Sequence, residues 1–322
     1  MEDSALDASG NSWTHPSLIM VATDLSDLER LMPFALEQAS ETGARLILLH
    51  SLAPSSALSV DPEGISYYDP SRAVQFASST LEPWCVFARR HHIVCDAMIR
   101  EGNPAQQIAT ALVQFQADRV LLGTRSRGRL GKLLLGSVAE QVLRSVNLPV
   151  ITVGPEAHLP VEKHERVVLH ATMLREASRP SAALACQIAA TQRAKLVLLH
   201  VLPPIDSPFA AGTEGGEPAG LDSTALHELR VLGAETGAGC CAGIEPRVVH
   251  GNPAIEILAE ASERRADLIV LGATNRSPFE NLTRDRTIHR ILAHARCPVL
   301  TLREPLAAQE ANAWTHRIAM HL

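Results

Sequence analysis

The chain is written twice. LILLHSL at 46–52 returns as LVLLHVL at 196–202, and Gly102-Asn103-Pro104 returns as Gly251-Asn252-Pro253. ADRVLLGT at 117–124 becomes ADLIVLGAT at 266–274, and LPVITV at 148–153 becomes CPVLTL at 297–302. The offset is 149 or 150 residues each time. Chance does not keep register over four separate words, so two homologous domains are read, at 16–155 and 164–304, with tails at 1–15 and 305–322. A chain of 322 residues has room for two such cores.

Each half carries short runs of Val, Ile and Leu with little alternation, the pattern of strands buried on both faces. In the first half these are Leu18–Thr23, Arg45–Leu52, Ile93–Glu101, Arg119–Gly123 and Val150–Val153. Helical stretches lie between them, at Asp27–Thr42, about Ser71–His91, Pro104–Gln116 and Ser137–Ser145. The second half repeats the strands at Arg166–Ala171, Lys195–Val201, Glu245–His250, Leu268–Gly272 and Val299–Leu302. Strand and helix in alternation imply right-handed crossovers, hence an α/β fold of two tandem, doubly wound parallel sheets with helices on both faces. Asn103 and Asn252 fall at helix N-caps with Pro104 and Pro253 at the first helical position. Segments 53–70 and 203–222 read as loops rich in Pro, Gly and Ser, and the tail after Glu304 as a short amphipathic helix or a disordered end.

Composition narrows the function. Acidic residues outnumber basic ones 35 to 29, for a net charge of −6, which argues against a general nucleic-acid binder. Aromatics at 3% disfavour a base-stacking platform. No apolar run is long enough for a membrane span, and the polar start lacks the marks of a signal peptide. A cytoplasmic protein is therefore expected. The cysteines at 85, 95, 186, 240, 241 and 297 form no CxxC pair and read as buried or idle thiols.

One stretch looks like a ligand site. GTRSRGRLGKLLLGS, residues 123–137, holds four glycines, four cations (Arg125, Arg127, Arg129, Lys132) and no acid. It ends in Gly136-Ser137, just before a helix. Glycines let backbone N–H groups converge on an anion, and the helix N-terminus adds free donors and partial positive charge. Those parts suit a polyphosphate; a basic glycine-containing loop is also compatible with a solvated connection. The stretch is neither a Walker A loop, since Ser126 and Leu133 stand where it needs Gly and Ser or Thr, nor a GxGxxG fingerprint. Asp24 closes the first strand at the same sheet edge, where it can take a ribose hydroxyl or help hold a metal; alternatively Asp24 or Ser26 caps the next helix. His50 and its repeat His200 read as satisfied core residues, and His91-His92 as the frayed end of a helix. No nucleophile elbow and no HExxH motif occur.

With these residues in place, the chain resembles the universal stress protein family in its tandem two-domain form. The family's ATP-binding pattern, G-x2-G-x9-G-[ST], is met by Gly123, Gly136 and Ser137, with Ser126 in place of the second glycine. The resemblance implies a sheet order of 3-2-1-4-5. It puts the strand-one acid on Asp24 with the backbone of Ala22 and Thr23 before it, the adenine contact on Ser51, where Val is usual, and the end of the phosphate turn on Val138. The nucleotide set is thus Ala22, Thr23, Asp24, Ser51, Gly123, Arg125, Ser126, Gly136, Ser137 and Val138, with ATP, together with Mg2+, as the implied ligand. In the second half Asp24 corresponds to Met173, and the glycine pattern continues from Gly272 through Asn275, Asp285 and Arg286, so one site is expected, in the N-terminal half. Val201 keeps the second strand-two position apolar, which suits a different ligand.

The expected function is a non-enzymatic stress-response protein whose nucleotide occupancy biases its contacts with protein partners. Mutual repulsion among Arg125, Arg127, Arg129 and Lys132 would be relieved by polyphosphate, which would order the turn. The alternatives are a tandem scaffold that binds no nucleotide and a weak ATPase, against which stands the lack of a visible base beside the turn. The resemblance also implies pairing through the fifth strand, between the two halves as a pseudo-dimer in one chain; the step to a homodimer stays open. The role of the Tyr67-Tyr68 loop, over adenine or over its own helix, stays open.

Overall fold

The computed structural model describes residues 13, 15–52, 59–61, 64–66, 69–124, 135–158, 164–204, 218–237, 242–274 and 285–304. The chain divides into two units, Met1–Pro160 and Val161–Leu322.

In the first unit the order is β1 (Leu18–Thr23), α1 (Leu28–Thr42), β2 (Arg45–Leu52), a short pair β3 (Ser59–Asp61) and β4 (Gly64–Ser66), α2 (Pro70–Arg90), β5 (Cys95–Glu101), α3 (Pro104–Phe115), β6 (Arg119–Gly123), α4 (Ser137–Ser145) and β7 (Val150–Val153). The main sheet runs β5-β2-β1-β6-β7 with every pair parallel, which is the order 3-2-1-4-5 once β3 and β4 are set aside. All six residues of β1 are buried, because helices cover both faces of the central strand. One face packs Leu18, Met20, Ala22, Ile47, Leu49, Val120 and Leu122 against α3 and α4. The helices α1 and α2 pack against the sheet as well, α1 on β1 and β6 and α2 on β5 and β2.

The second unit repeats the plan with β8 (Val167–Ala171), a 3-10 turn at Glu176–Ser178, α5 (Arg179–Thr191), β9 (Lys195–Leu202), α6 (Pro218–Thr236), β10 (Ile244–His250), α7 (Pro253–Glu263), β11 (Leu268–Thr274), α8 (Asp285–His294) and β12 (Val299–Glu304). Its sheet order is β10-β9-β8-β11-β12, again parallel.

The repeated words have structural roles. Asp118 and Asp267, from the two ADxxxLG stretches, pin the start of the first strand: Asp118 accepts from the Ser17 and Leu18 amides at 2.7 and 3.0 Å, and Asp267 accepts from the Val167 amide at 2.8 Å. Asn103 caps α3 by accepting from the Gln106 amide, and Asn252 caps α7 by accepting from the amides of Ala254 and Ile255. The glycines before them, Gly102 and Gly251, take φ of 135° and 149°, a conformation that side chains rarely adopt.

The structure departs from the expected elements in a few places. Ser59–Asp61 and Gly64–Ser66 pair antiparallel inside the segment read as a loop. In the second unit α6 begins at Pro218, inside the other expected loop. The third main strand starts at Cys95, two residues late, because the α2 end is turned by His92 at φ 63° and Val94 is exposed. Four cysteines, at 85, 95, 186 and 297, are buried; Cys240 and Cys241 lie outside the described residues, as do Tyr67, Tyr68 and the tail after Glu304. Among the described residues no helix is long and apolar enough to cross a membrane.

Candidate functional site

The carboxyl ends of β1, β2 and β6 converge on a cavity of about 230 Å³. The strand order places it there: β1 is the middle strand, and the chain leaves it toward β2 on one side and reaches β6 on the other, which parts the loops above. The floor is apolar, made of Ala22, Leu49, Ile108, Leu122 and Ala139; the rim carries Thr23, Asp24, Asp27, His50, Ser51 and Ser137, with Gly123, Gly136 and Val138 beside them.

The basic turn begins and ends at this rim. The Gly136 amide donates to the Thr124 carbonyl at 3.0 Å, and the Thr124 amide donates to Val153 at 3.2 Å, so both ends of the turn are tied to the sheet. Residues 125–134, including Arg125 and Ser126 of the expected site, lie outside the described residues. The hydroxyl of Thr124 is buried and has no hydrogen-bond partner among the described residues.

Helix α4 opens onto the cavity without a cap. Its N-cap is Gly136, which has no side chain to accept from the first amides. In α2 and α3 such donors are filled: Asp69 caps α2 and Asn103 caps α3. Among the described residues no side-chain cap takes the first amides of α4, which leaves the N–H groups of Ser137, Val138 and Ala139 open to an anion. The Val138 side chain is half-buried and packs against the core.

The first-strand turn separates two acids. Asp24 is exposed and accepts at one oxygen from the Ser26 amide at 2.9 Å and the Ser26 hydroxyl at 2.6 Å. It thus forms a local turn and caps no helix. The N-cap of α1 is Asp27, which neither Asp24 nor Ser26 replaces, yet its side chain makes no capping bond. Instead Asp27 is buried, and its Oδ1 accepts from the Thr23 hydroxyl at 2.6 Å. Burial pushes its carboxyl above the usual value, opposed by the Thr23 hydroxyl. A Cβ added at Gly123 would lie 2.3 Å from Asp27 Oδ2, which explains why that strand must end in glycine. The sequence signal for Asp27 is present, an acid three residues after the strand-end Asp24, but a helix-capping role accounts for the same residue.

Ser51 lines the cavity and donates its hydroxyl to the Gly102 carbonyl at 2.9 Å, linking the end of β2 to the turn before α3. His50 is half-buried, not fully in the core, with Nδ1 2.9 Å from the Thr23 carbonyl. His91 ends α2 with its ring 4.6 Å from that of Phe87. Of the expected residues, Ala22, Thr23, Asp24, Ser51, Gly123, Gly136, Ser137 and Val138 line one cavity. Among the described residues no group of three or more His, Cys, Asp or Glu is placed to hold a metal by itself.

The family profile described as "Universal stress protein family" matches residues 17–154 and again 166–303. A universal stress protein of Mycobacterium tuberculosis is 25% identical over 311 residues, which cover 93% of this chain and 99% of that one. A universal stress protein of Mycolicibacterium smegmatis is 24% identical over 303 residues, covering 88% of this chain and 96% of the relative. Among solved structures, a universal stress protein from Archaeoglobus fulgidus superposes with a TM-score of 0.66 at 18% identity, covering 91% of this chain and 97% of that one.

Proposed function

The chain belongs to the universal stress protein family, and we propose that its N-terminal unit is a cytoplasmic receptor for an adenine nucleotide, ATP with Mg2+, that acts by regulation and not by catalysis. The observation that carries this reading is the uncapped N-terminus of α4 standing at an apolar-floored cavity on the carboxyl edge of the sheet. An apolar floor suits a flat base, and free amides suit phosphate. The sequence between the two ends of the turn supplies four cations and no acid, the complement of a polyphosphate. Asp24 stands exposed at the rim with carboxylate capacity left for a ribose hydroxyl.

The residues fit Mg2+ as a companion of the nucleotide: Asp24 and Asp27 are the acids at the cavity, and one or two carboxylates with phosphate oxygens are what this ion usually takes. A catalytic role finds little support. The Thr23 hydroxyl is spent on structure, donating to Asp27 and accepting from the Leu25 amide at 2.9 Å. His50 faces a backbone carbonyl. Partner proteins that contact the occupied and empty forms differently would then read the nucleotide, with a switch no larger than that difference.

The test is to denature the purified full chain after incubation with millimolar ATP and gel filtration, and to chromatograph what is released. Adenine nucleotide retained with the protein supports the reading, and none retained contradicts it.

A further inference from the structure

Two cysteines of the first unit bring their sulfurs together away from the cleft. Cys85 lies in α2 and Cys95 opens β5; both are fully buried, and the Cys95 thiol donates to the Cys85 sulfur at 3.3 Å. Cys95 stands in register with Leu46 of β2, whereas the next residue, Ile47, belongs to the core facing α3 and α4. Alternation along the strand therefore puts both sulfurs on the other face of the sheet from the α3–α4 floor. The turn between them is held at several points. The Ile93 amide donates to the Ala88 carbonyl at 3.0 Å, and Arg89 donates to the Cys95 carbonyl through Nε at 3.1 Å and Nη2 at 2.9 Å. A disulfide bond is about 2.05 Å long, so closing the gap between the sulfurs takes a movement of about 1.3 Å.

The second unit shows that packing alone does not require sulfur at this contact. Ile244 takes the place of Cys95, in register with Leu196 as Cys95 is with Leu46. A Cβ added at Gly233 of α6 would lie 3.3 Å from Ile244 Cγ2. The same helix–strand contact is thus closed by a glycine and an isoleucine in one unit and by two cysteines in the other. The hydrogen bond between the sulfurs gives the pair a direction. Cys85, which receives it, is held below the usual thiol value, and Cys95, which donates it, is pushed above. Cys85 therefore reaches the nucleophilic thiolate first. Glu82 and Arg89, three residues before Cys85 and four after it, share its side of the helix and pair with each other at 3.0 Å, with about half of each side chain exposed. An exposed ion pair of this kind contributes little stability and opens readily, which admits a small neutral oxidant to the sulfur beneath.

We propose that Cys85 and Cys95 are a peroxide-responsive thiol pair, which closes reversibly to a disulfide and fastens α2 to β5. The Cys85 thiolate attacks one oxygen of hydrogen peroxide. The O–O bond breaks, hydroxide leaves and takes up the proton that Cys85 gave up, and Cys85 becomes a sulfenic acid. The Cys95 sulfur then attacks the Cys85 sulfur; the S–S bond forms, the S–O bond breaks, and the hydroxyl leaves with the Cys95 proton as a second water. Two thiols and one peroxide thus give one disulfide and two waters, with sulfur oxidised and peroxide reduced. A thiol reductant returns the pair by exchange. Neither cysteine lines the cavity, so a failure here leaves the nucleotide reading untouched.

The experiment is peptide mapping of the full chain. The protein is reduced, freed of reductant, exposed to hydrogen peroxide and quenched with catalase; remaining thiols are blocked with N-ethylmaleimide in urea before tryptic digestion without reductant. Trypsin cuts after Arg72, Arg89, Arg90 and Arg100, so Cys85 and Cys95 fall in separate peptides, 73–89 and 91–100. The expected result is that these two peptides appear joined in most chains, lighter than their sum by two hydrogen atoms, and are released by dithiothreitol. Cys297, whose thiol burial pushes up to about 12, is expected to remain open to blocking. Cys95→Ala, once thermal melts show it folded, should stop at the sulfenic acid on Cys85, captured by dimedone at a several-fold higher yield than in the wild type. A folded variant whose Cys85 gives no adduct overturns the assignment of Cys85 as the attacking sulfur; if the variant does not fold, the wild-type map decides alone. Peptides 73–89 and 91–100 that stay unlinked and open to blocking overturn the proposal. So does irreversible oxidation of Cys85 without linkage, or linkage of either cysteine to Cys240 or Cys241 in place of the other.

Discussion

The two units turn the end of their first strand in the same way and finish the turn with different chemistry. Thr23 and Thr172 each accept from the amide two residues on, at 2.9 and 3.1 Å, and that residue is a leucine at positive φ in both, Leu25 at 73° and Leu174 at 53°. His50 and His200 each place Nδ1 2.9 Å from the carbonyl of that threonine. Beyond this shared frame the units part. Asp24 is replaced by Met173, the buried Asp27 by the ion-paired Glu176, and Gly136 by Asp285, which stands at the first residue of α8. An acid thus occupies the position where α4 leaves its amides bare. The lesson is that the cleft backbone belongs to the fold, whereas the proposed phosphate site rests on a few positions at which the second unit differs without disturbing the sheet.

The comparison breaks most readily at Gly136. It sits at φ −64° and ψ 143°, a conformation open to any residue and favourable for an N-cap aspartate. Gly136→Asp copies the second unit into the first. ATP affinity measured by calorimetry should fall about 100-fold or more, roughly 2.7 kcal/mol, while the thermal midpoint stays level or rises. A fall in both would mean that the glycine is needed for folding.

A second contrast lies under the sheet ends. His170 of β8 is fully buried and corresponds to Val21 of β1. Its Nδ1 lies 3.1 Å from the Val270 carbonyl, Nε2 has no partner among the described residues, and burial pushes its pKa down to about 4. The unfolded chain therefore takes up this proton near pH 6.5 and the folded unit does not until about pH 4. Stability is full above the unfolded value and is lost as pH falls through this window, by about 3 kcal/mol if the shift is realised in full. Hydrogen exchange of second-unit peptides at pH 7 and pH 4.5 should show that loss, and His170→Val should flatten it.

Smaller effects sharpen the symmetry. Asn103→Ala and Asn252→Ala each remove a side-chain cap and should cost about 1 kcal/mol in denaturant unfolding, equally in the two units. Met173→Asp restores the strand-end acid to the second unit but leaves Asp285 in place. It should create no ATP binding detectable by calorimetry, because an acid at the rim supplies no phosphate site.

Much of this was legible in the residues. The repeat and the runs of buried Val, Ile and Leu place the sheet strands to within two residues at the main-sheet boundaries discussed above, because strands buried on both faces leave little room for polar interruption. Asp27 was not legible as a cavity residue: an acid at the start of a helix is ordinary capping chemistry, and only the fold turns its carboxylate toward Thr23 and Gly123. Arg119 hid for a related reason. At the start of a strand it reads as solvent-facing, yet it is fully buried, donating at 2.7 Å both to Gln38 and to the Trp13 carbonyl. Burial lowers its pKa to about 10, which still leaves it charged at neutral pH. The β3–β4 pair escaped because three-residue strands carry too few side chains for a period to emerge.

The most direct test of the central claim is the stoichiometry of ATP binding to the full chain in Mg2+, by calorimetry, for the wild type and Gly136→Asp side by side. The account predicts about one nucleotide per chain for the wild type and none for the variant at the same concentrations. Two nucleotides per chain, or one that persists in the variant, would contradict it.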